Sequence, residues 1–169
     1  MNFDYKYGNT YYKYYDNKVG VKSTVYNILA PAQEQDVQPG MEYAMYPQPI
    51  FDNPNYKGSG KLKDKVAIIT GGDSGLGRAC SIAFVKEGAK VVIVYYNEQK
   101  DAVDTKKYIE SLGGECHLIM GDITNHKFCK YVVDETLKRY GKIDILVNNA
   151  GVQYQQDRLE DISDEQFDW

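Results

Sequence analysis

An α/β fold built on a doubly wound parallel sheet is what this sequence predicts, and three observations carry the prediction. Short β-branched apolar runs alternate with amphipathic stretches of helical length from Lys61 onward. The apolar runs are continuous rather than alternating, so both faces of the sheet are meant to be covered. A glycine cluster falls between the first run and the first amphipathic stretch, in "VAIITGGDSGLGRA" at 66–79.

The elements follow in order. Residues 1–60 read as an arm, mostly extended or without fixed structure. Residues 1–18, "MNFDYKYGNTYYKYYDNK", are tyrosine-rich and hold neither periodicity for long. All five prolines, Pro31, Pro39, Pro47, Pro49 and Pro54, lie between 31 and 60, where "GSG" closes the stretch. Proline removes backbone donors and biases its predecessor toward extended conformations. The domain itself spans 61–169. "VAIIT" at 66–70 is the first strand. Leu76, Ala79, Cys80, Ala83 and Phe84 then form a one-sided stripe at helical spacing, ended at Gly88. "VVIVY" at 91–95 is the second strand. A second helix over 98–112 places Ala102, Thr105, Ile109 and Leu112 on one side and ends at Gly113 and Gly114. "CHLIM" at 116–120 is the third strand. The third helix, from about Asn125 to Tyr140, carries Cys129, Val132, Val133, Thr136, Leu137 and Tyr140, and Gly141 closes it. "ILVN" at 145–148 is the fourth strand. Ser163 and Gln166 have the spacing of a capping box at a further helix start.

Composition narrows the function. The chain of 169 residues suits one ordinary domain with an appendage. A net charge of −4 with no long basic block argues against nucleic-acid binding. "VVIVYY" at 91–96 is far too short to span a bilayer, and the N-terminus lacks a signal-peptide pattern. Three cysteines, Cys80, Cys116 and Cys129, include no C-x-x-C pair, so a disulfide framework and a metal site are both unexpected. These features fit a reduced cytoplasmic protein.

The glycine cluster carries the chemistry. Glycines at a strand-to-helix turn permit positive φ and a close backbone approach to a ligand. N–H groups at the start of the following helix, with its dipole, favour an anion, and a pyrophosphate is the natural guest. Gly71, Gly75 and Gly77 give G-x-x-x-G-x-G rather than the commoner G-x-G-x-x-G. Arg78 follows Gly77 with no Lys-Ser/Thr pair, which argues against a nucleotide-hydrolysing loop.

"TGGDSGLG" at 70–77, "GDI" at 121–123 and "NNAG" at 148–151 occur in order at the ends of the first, third and fourth strands. In these motifs the chain resembles the short-chain dehydrogenase/reductases over about residues 61–169. The stretch "QPGMEYAMYPQP" with "YKGSGKLKDKVAIITGGDSG" is similar to a bacterial subgroup with a proline-containing N-terminal extension. The resemblance implies a Rossmann-type sheet in the order 3-2-1-4, here incomplete at the C-terminus. It implies an NAD- or NADP-dependent oxidoreductase acting on alcohol and carbonyl groups, commonly a homotetramer.

The resemblance also assigns roles. Gly71, Gly75 and Gly77 would shape the pyrophosphate loop, which Asp73, Ser74 and Leu76 line. Asp122 would accept from the adenine amino group and Ile123 would donate its N–H. Asn149, Ala150 and Gly151 would line the ribose side, and Asn149 has a second reading as a bridge between strands. Asn97 and Glu98 follow the second strand, with Glu98 where an acidic residue would meet the ribose 2′-hydroxyl. With Asp73, and with no Arg or Lys in 72–76, this leans toward NAD, while Lys100 leaves NADP open.

The family's catalytic Ser and Tyr-x-x-x-Lys find no placed match, so no catalytic residue is assigned. Tyr14–Lys18 lies in the tyrosine-rich tract, and Tyr96–Lys100 lies on the adenosine side. The expectation is a truncated or partial member, represented by its cofactor-binding half. The alternative is a catalytically inactive module binding a nucleotide or a partner.

Overall fold

The computed structural model describes residues 35–36, 39–152, 156 and 158–168. The tyrosine-rich tract at 1–18 lies outside them. Strand β1 (Val66–Thr70) leads to helix α1 (Gly75–Lys86), β2 (Lys90–Tyr95), α2 (Gln99–Ser111), β3 (Cys116–Met120), α3 (His126–Tyr140), β4 (Ile145–Val147) and α4 (Asp164–Asp168). Short 3-10 turns stand at Glu42–Ala44 and Leu159–Asp161.

The four strands form one parallel sheet in the order β3-β2-β1-β4, as the sequence predicts. Ile69 pairs with Ile93 on one side and Val147 on the other, and Ile93 pairs with Leu118. The two-residue period sends alternate side chains to opposite faces. Ala67, Ile69, Val91, Ile93 and Cys116 bury one face against Ile82 and Val85 of α1 and Ile109 of α2. Ile68, Val92, Val94 and Ile119 bury the other against Val132 of α3. Both faces of the inner strands are therefore covered, which is why their sequences read as unbroken apolar runs.

The helix stripes differ from expectation in instructive ways. In α1 the buried positions are Gly77, Ser81, Ile82 and Val85, and Ala83 is exposed. Leu76, the first residue of the expected stripe, is 84% exposed. The real buried face is rotated because its first two turns pack through glycine and serine: Ser81 Oγ donates to Gly77 O at 2.8 Å and lies 3.2 Å from Gly72 O. In α2, Ala102, Thr105 and Ile109 are buried as expected, joined by Asp101, but Leu112 is the C-cap and is exposed. In α3, Val132 and Thr136 are buried, while Cys129, Val133 and Leu137 face outward. Asn125 caps this helix by accepting from the Lys127 and Phe128 N–H groups, and Gly141 ends it at φ 75°.

Residues 39–60 differ from the expected loose tail. They lie against α1 and α2 through specific anchors. The Phe51 ring meets Tyr108 edge-on at 5.1 Å, and the Arg78 guanidinium stacks 3.5 Å above the Phe51 ring. Asp52 pairs with Lys86 Nζ at 2.5 Å and accepts from the Tyr108 hydroxyl at 2.7 Å. Glu87, the C-cap of α1, accepts from the Tyr56 hydroxyl and from the Ser59 and Lys61 N–H groups. These donors hold the Glu87 carboxyl down at about 2. The segment lacks periodicity because it is a strap, not an element of the sheet.

Candidate functional site

Strand order reverses between β1 and β4, and an open sheet of this kind places its crevice beyond the strand C-termini at that point. A cavity of about 880 Å³ lies there. Eleven of the thirteen predicted site residues line it. They are Gly71, Asp73, Ser74, Gly75 and Leu76 from the glycine loop, and Glu98 after β2. Asp122 and Ile123 follow β3, and Asn149, Ala150 and Gly151 follow β4.

Each position has a local cause. Gly71 ends β1 at φ 61°, with its N–H donated to Val94 O at 2.7 Å. Gly75 stands at φ 51°, and a Cβ there would meet nothing within 4 Å, so its side toward the cavity is open. Ser74 is the N-cap of α1, yet its side chain makes no capping bond. Asn149 is the bridge between strands: its Nδ2 donates to Thr70 O at 3.0 Å and Gly71 O at 3.1 Å. The Asn149 and Ala150 N–H groups both reach Thr70 Oγ1 at 3.0 Å. The side chain of Thr70 thus ties the end of β4 to the loop after β1.

Two expected residues sit outside the cavity. Gly77 is buried behind the loop, where a Cβ would stand 1.9 Å from Gly71 O. It shapes the turn rather than its surface. Asn97 is exposed; its N–H donates to Glu98 Oε2 at 3.0 Å. That bond turns the Glu98 carboxylate inward, and Glu98 is only 4% exposed.

The site carries carboxylates where β2 and β3 end. Asp73 is 2% exposed, and burial, with the charges of Glu98 and Asp101 beside it, pushes its carboxyl up to about 6. Asp122 behaves oppositely: the Thr124 N–H and hydroxyl both donate to its Oδ1 at 2.8 Å and hold its carboxyl below the usual value.

Sequence reasoning missed several lining residues. Pro39 comes from the strap, and Ile162, Gln166 and Phe167 come from the region of α4. The α4 start does carry the expected capping box, with Gln166 N–H to Ser163 Oγ and Ser163 N–H to Gln166 Oε1, both at 3.2 Å. Nothing in that pattern said where the helix would pack. Pro39 had no local signal at all. Among the described residues no group of three His, Cys, Asp or Glu is placed to hold a metal. No described helix is long and apolar enough to cross a membrane.

The model of the short chain dehydrogenase family matches residues 65–169. The chain belongs to the short-chain dehydrogenase family. General stress protein 39 of Bacillus subtilis is 52% identical over 137 residues, covering 81% of this chain and 48% of that protein. The short-chain dehydrogenase chain thus spans about half the length of the curated relatives it matches. A short chain dehydrogenase from Burkholderia cenocepacia, solved in complex with NADP, superposes with a TM-score of 0.58 at 33% identity. It covers 63% of this chain and 43% of its own. A 3-ketoacyl-(acyl-carrier-protein) reductase from Brucella melitensis, complexed with NADH, gives 0.57 at 37% identity over 63% of this chain and 42% of its own.

Proposed function

We propose that this chain is the cofactor-binding half of an NAD(P)-dependent oxidoreductase acting on alcohol and carbonyl groups. The observation that carries the reading is the glycine loop, opened toward the cavity at Gly75 and tied to β4 by Asn149. A cavity of this size, with backbone N–H groups at a helix start, suits a dinucleotide. Gly71, Gly75 and Gly77 would shape the loop, and Ser74 and Leu76 would hold the pyrophosphate. Asp122 and Ile123 would hold the adenine, and Asn149, Ala150 and Gly151 the nicotinamide-side ribose. A bound nicotinamide supplies a two-electron redox centre. The chain's own residues bind it and orient it.

The cofactor is NAD rather than NADP in this reading. Asp73 and Glu98 place buried carboxylates at the adenosine-facing end, and a ribose 2′-phosphate there would meet like charge. The complete protein is read as a cytoplasmic homotetramer, as the family resemblance implies. Titration of the purified chain with NADH and NADPH, followed by nicotinamide fluorescence, tests the reading. Tighter binding of NADH is expected. Tighter binding of NADPH would overturn the cofactor preference, and binding of neither would overturn the reading itself.

A further inference from the structure

The strap places one charged side chain against the glycine loop. Glu42 is 4% exposed, although it is a carboxylate on a segment without regular structure. Its Oε2 accepts the Gly75 N–H at 2.5 Å, and its Oε1 pairs with Arg78 NH1 at 2.6 Å. It therefore satisfies the N–H of the first residue of α1, one of the amides that a helix start leaves without an intrahelical partner. The Glu42 backbone is itself fixed: the Glu42 and Tyr43 N–H groups donate to the two oxygens of Asp101, at 2.8 and 3.2 Å. Arg78 is held in turn between Glu42 and the Phe51 ring. Pro39, three residues before Glu42, already lines the cavity.

We infer that Glu42 is a positioning residue for the cofactor loop, acting through Gly75 and Arg78 rather than by touching the cofactor. Gly75 is in the left-handed region with open space around it, so its own packing does not fix it. The carboxylate does. Loss of that hold lets the loop sample other conformations, and binding then requires ordering it again. The inference rests on the proposed dinucleotide reading for its consequence, but the hold on Gly75 does not.

The test uses the full chain and the variants E42A, E42Q and D52N. Two quantities are read: hydrogen exchange at the Gly75 amide by NMR, and NADH affinity by fluorescence titration. E42A should speed Gly75 exchange and weaken NADH binding about tenfold, the scale of a lost bond to a charged group. E42Q keeps an oxygen for the Gly75 N–H but turns an NH2 donor toward Arg78 NH1, so it should restore slow Gly75 exchange and only part of the affinity. D52N loosens the strap at its other anchor and should leave both unchanged. Unchanged Gly75 exchange in E42A, or equal loss of affinity in D52N, would overturn the inference. If the unaltered chain binds no NADH, the dinucleotide reading fails, and the exchange rate alone still decides whether Glu42 holds the loop.

Discussion

Replacing Gly77 with alanine should damage the site more than replacing either glycine that faces the cavity. A Cβ at 77 would stand 1.9 Å from Gly71 O and 2.6 Å from Asn149 Nδ2, while real Cβ contacts stay above 3.0 Å. The loop must open by about 1 Å, and overpacking of that size costs about 1–3 kcal/mol. The Asn149 bond to Gly71 O lies in the path, and its loss adds about 1 kcal/mol. A total of about 2–4 kcal/mol is a large share of a domain's net stability of about 5–15 kcal/mol. Gly75→Ala is the control, because its Cβ enters open space and carries backbone strain of only about 1–2 kcal/mol. Urea denaturation followed by circular dichroism gives both numbers. Gly77→Ala should lower the midpoint clearly more than Gly75→Ala and should abolish dinucleotide binding. A Gly77→Ala chain as stable as the unaltered one, with unchanged affinity, would refute the packing argument.

The other expectations concern charge and association. The Asp73 carboxyl sits at about 6 in the fold against 3.8 ordinarily, so the folded state holds its proton more tightly. Stability should therefore fall as pH rises from about 4 to 6, by about 2 kcal/mol. Asp73→Asn should remove that slope in pH-dependent melts; a parallel profile would contradict the assignment. Glu87 and Asp144, both held at about 2, act the other way and only at lower pH, where their contribution is lost as pH falls. Tyr131, Val133 and Leu137 on α3 and Leu146 on β4 leave apolar surface exposed, so residues 1–169 should self-associate in sizing chromatography. Leu137→Lys with Leu146→Lys should shift the elution toward the monomer, and an unaltered chain that already runs as a monomer would contradict this.

The sheet was legible because buried parallel strands carry their signal locally. "VAIIT", "VVIVY" and "CHLIM" are unbroken apolar runs, and each became a strand at or within one residue of its expected ends. The glycine loop was legible because φ values of 61° and 51° at Gly71 and Gly75 exclude most other residues. The face of α1 was not, because its first two turns bury Gly77 and Ser81, while apolar Leu76 sits at the cavity. The strap was not legible either. Its anchors are single polar or aromatic side chains whose partners lie 27 to 59 residues away, as in Phe51 to Arg78 and Glu42 to Asp101. No local periodicity encodes such pairings. Asn149 had two readings from sequence, and the bridging one is seen in its bonds to Thr70 and Gly71.

The central claim is that the cavity after the strand C-termini receives a nicotinamide dinucleotide through the glycine loop. Amide chemical-shift mapping of the chain during an NAD titration tests it most directly. Saturable shifts should concentrate at Gly71–Gly77, Asp122–Ile123 and Asn149–Gly151, and should be lost in Gly77→Ala. Shifts confined to the exposed face of α3, or no saturable shift at all, would contradict the claim.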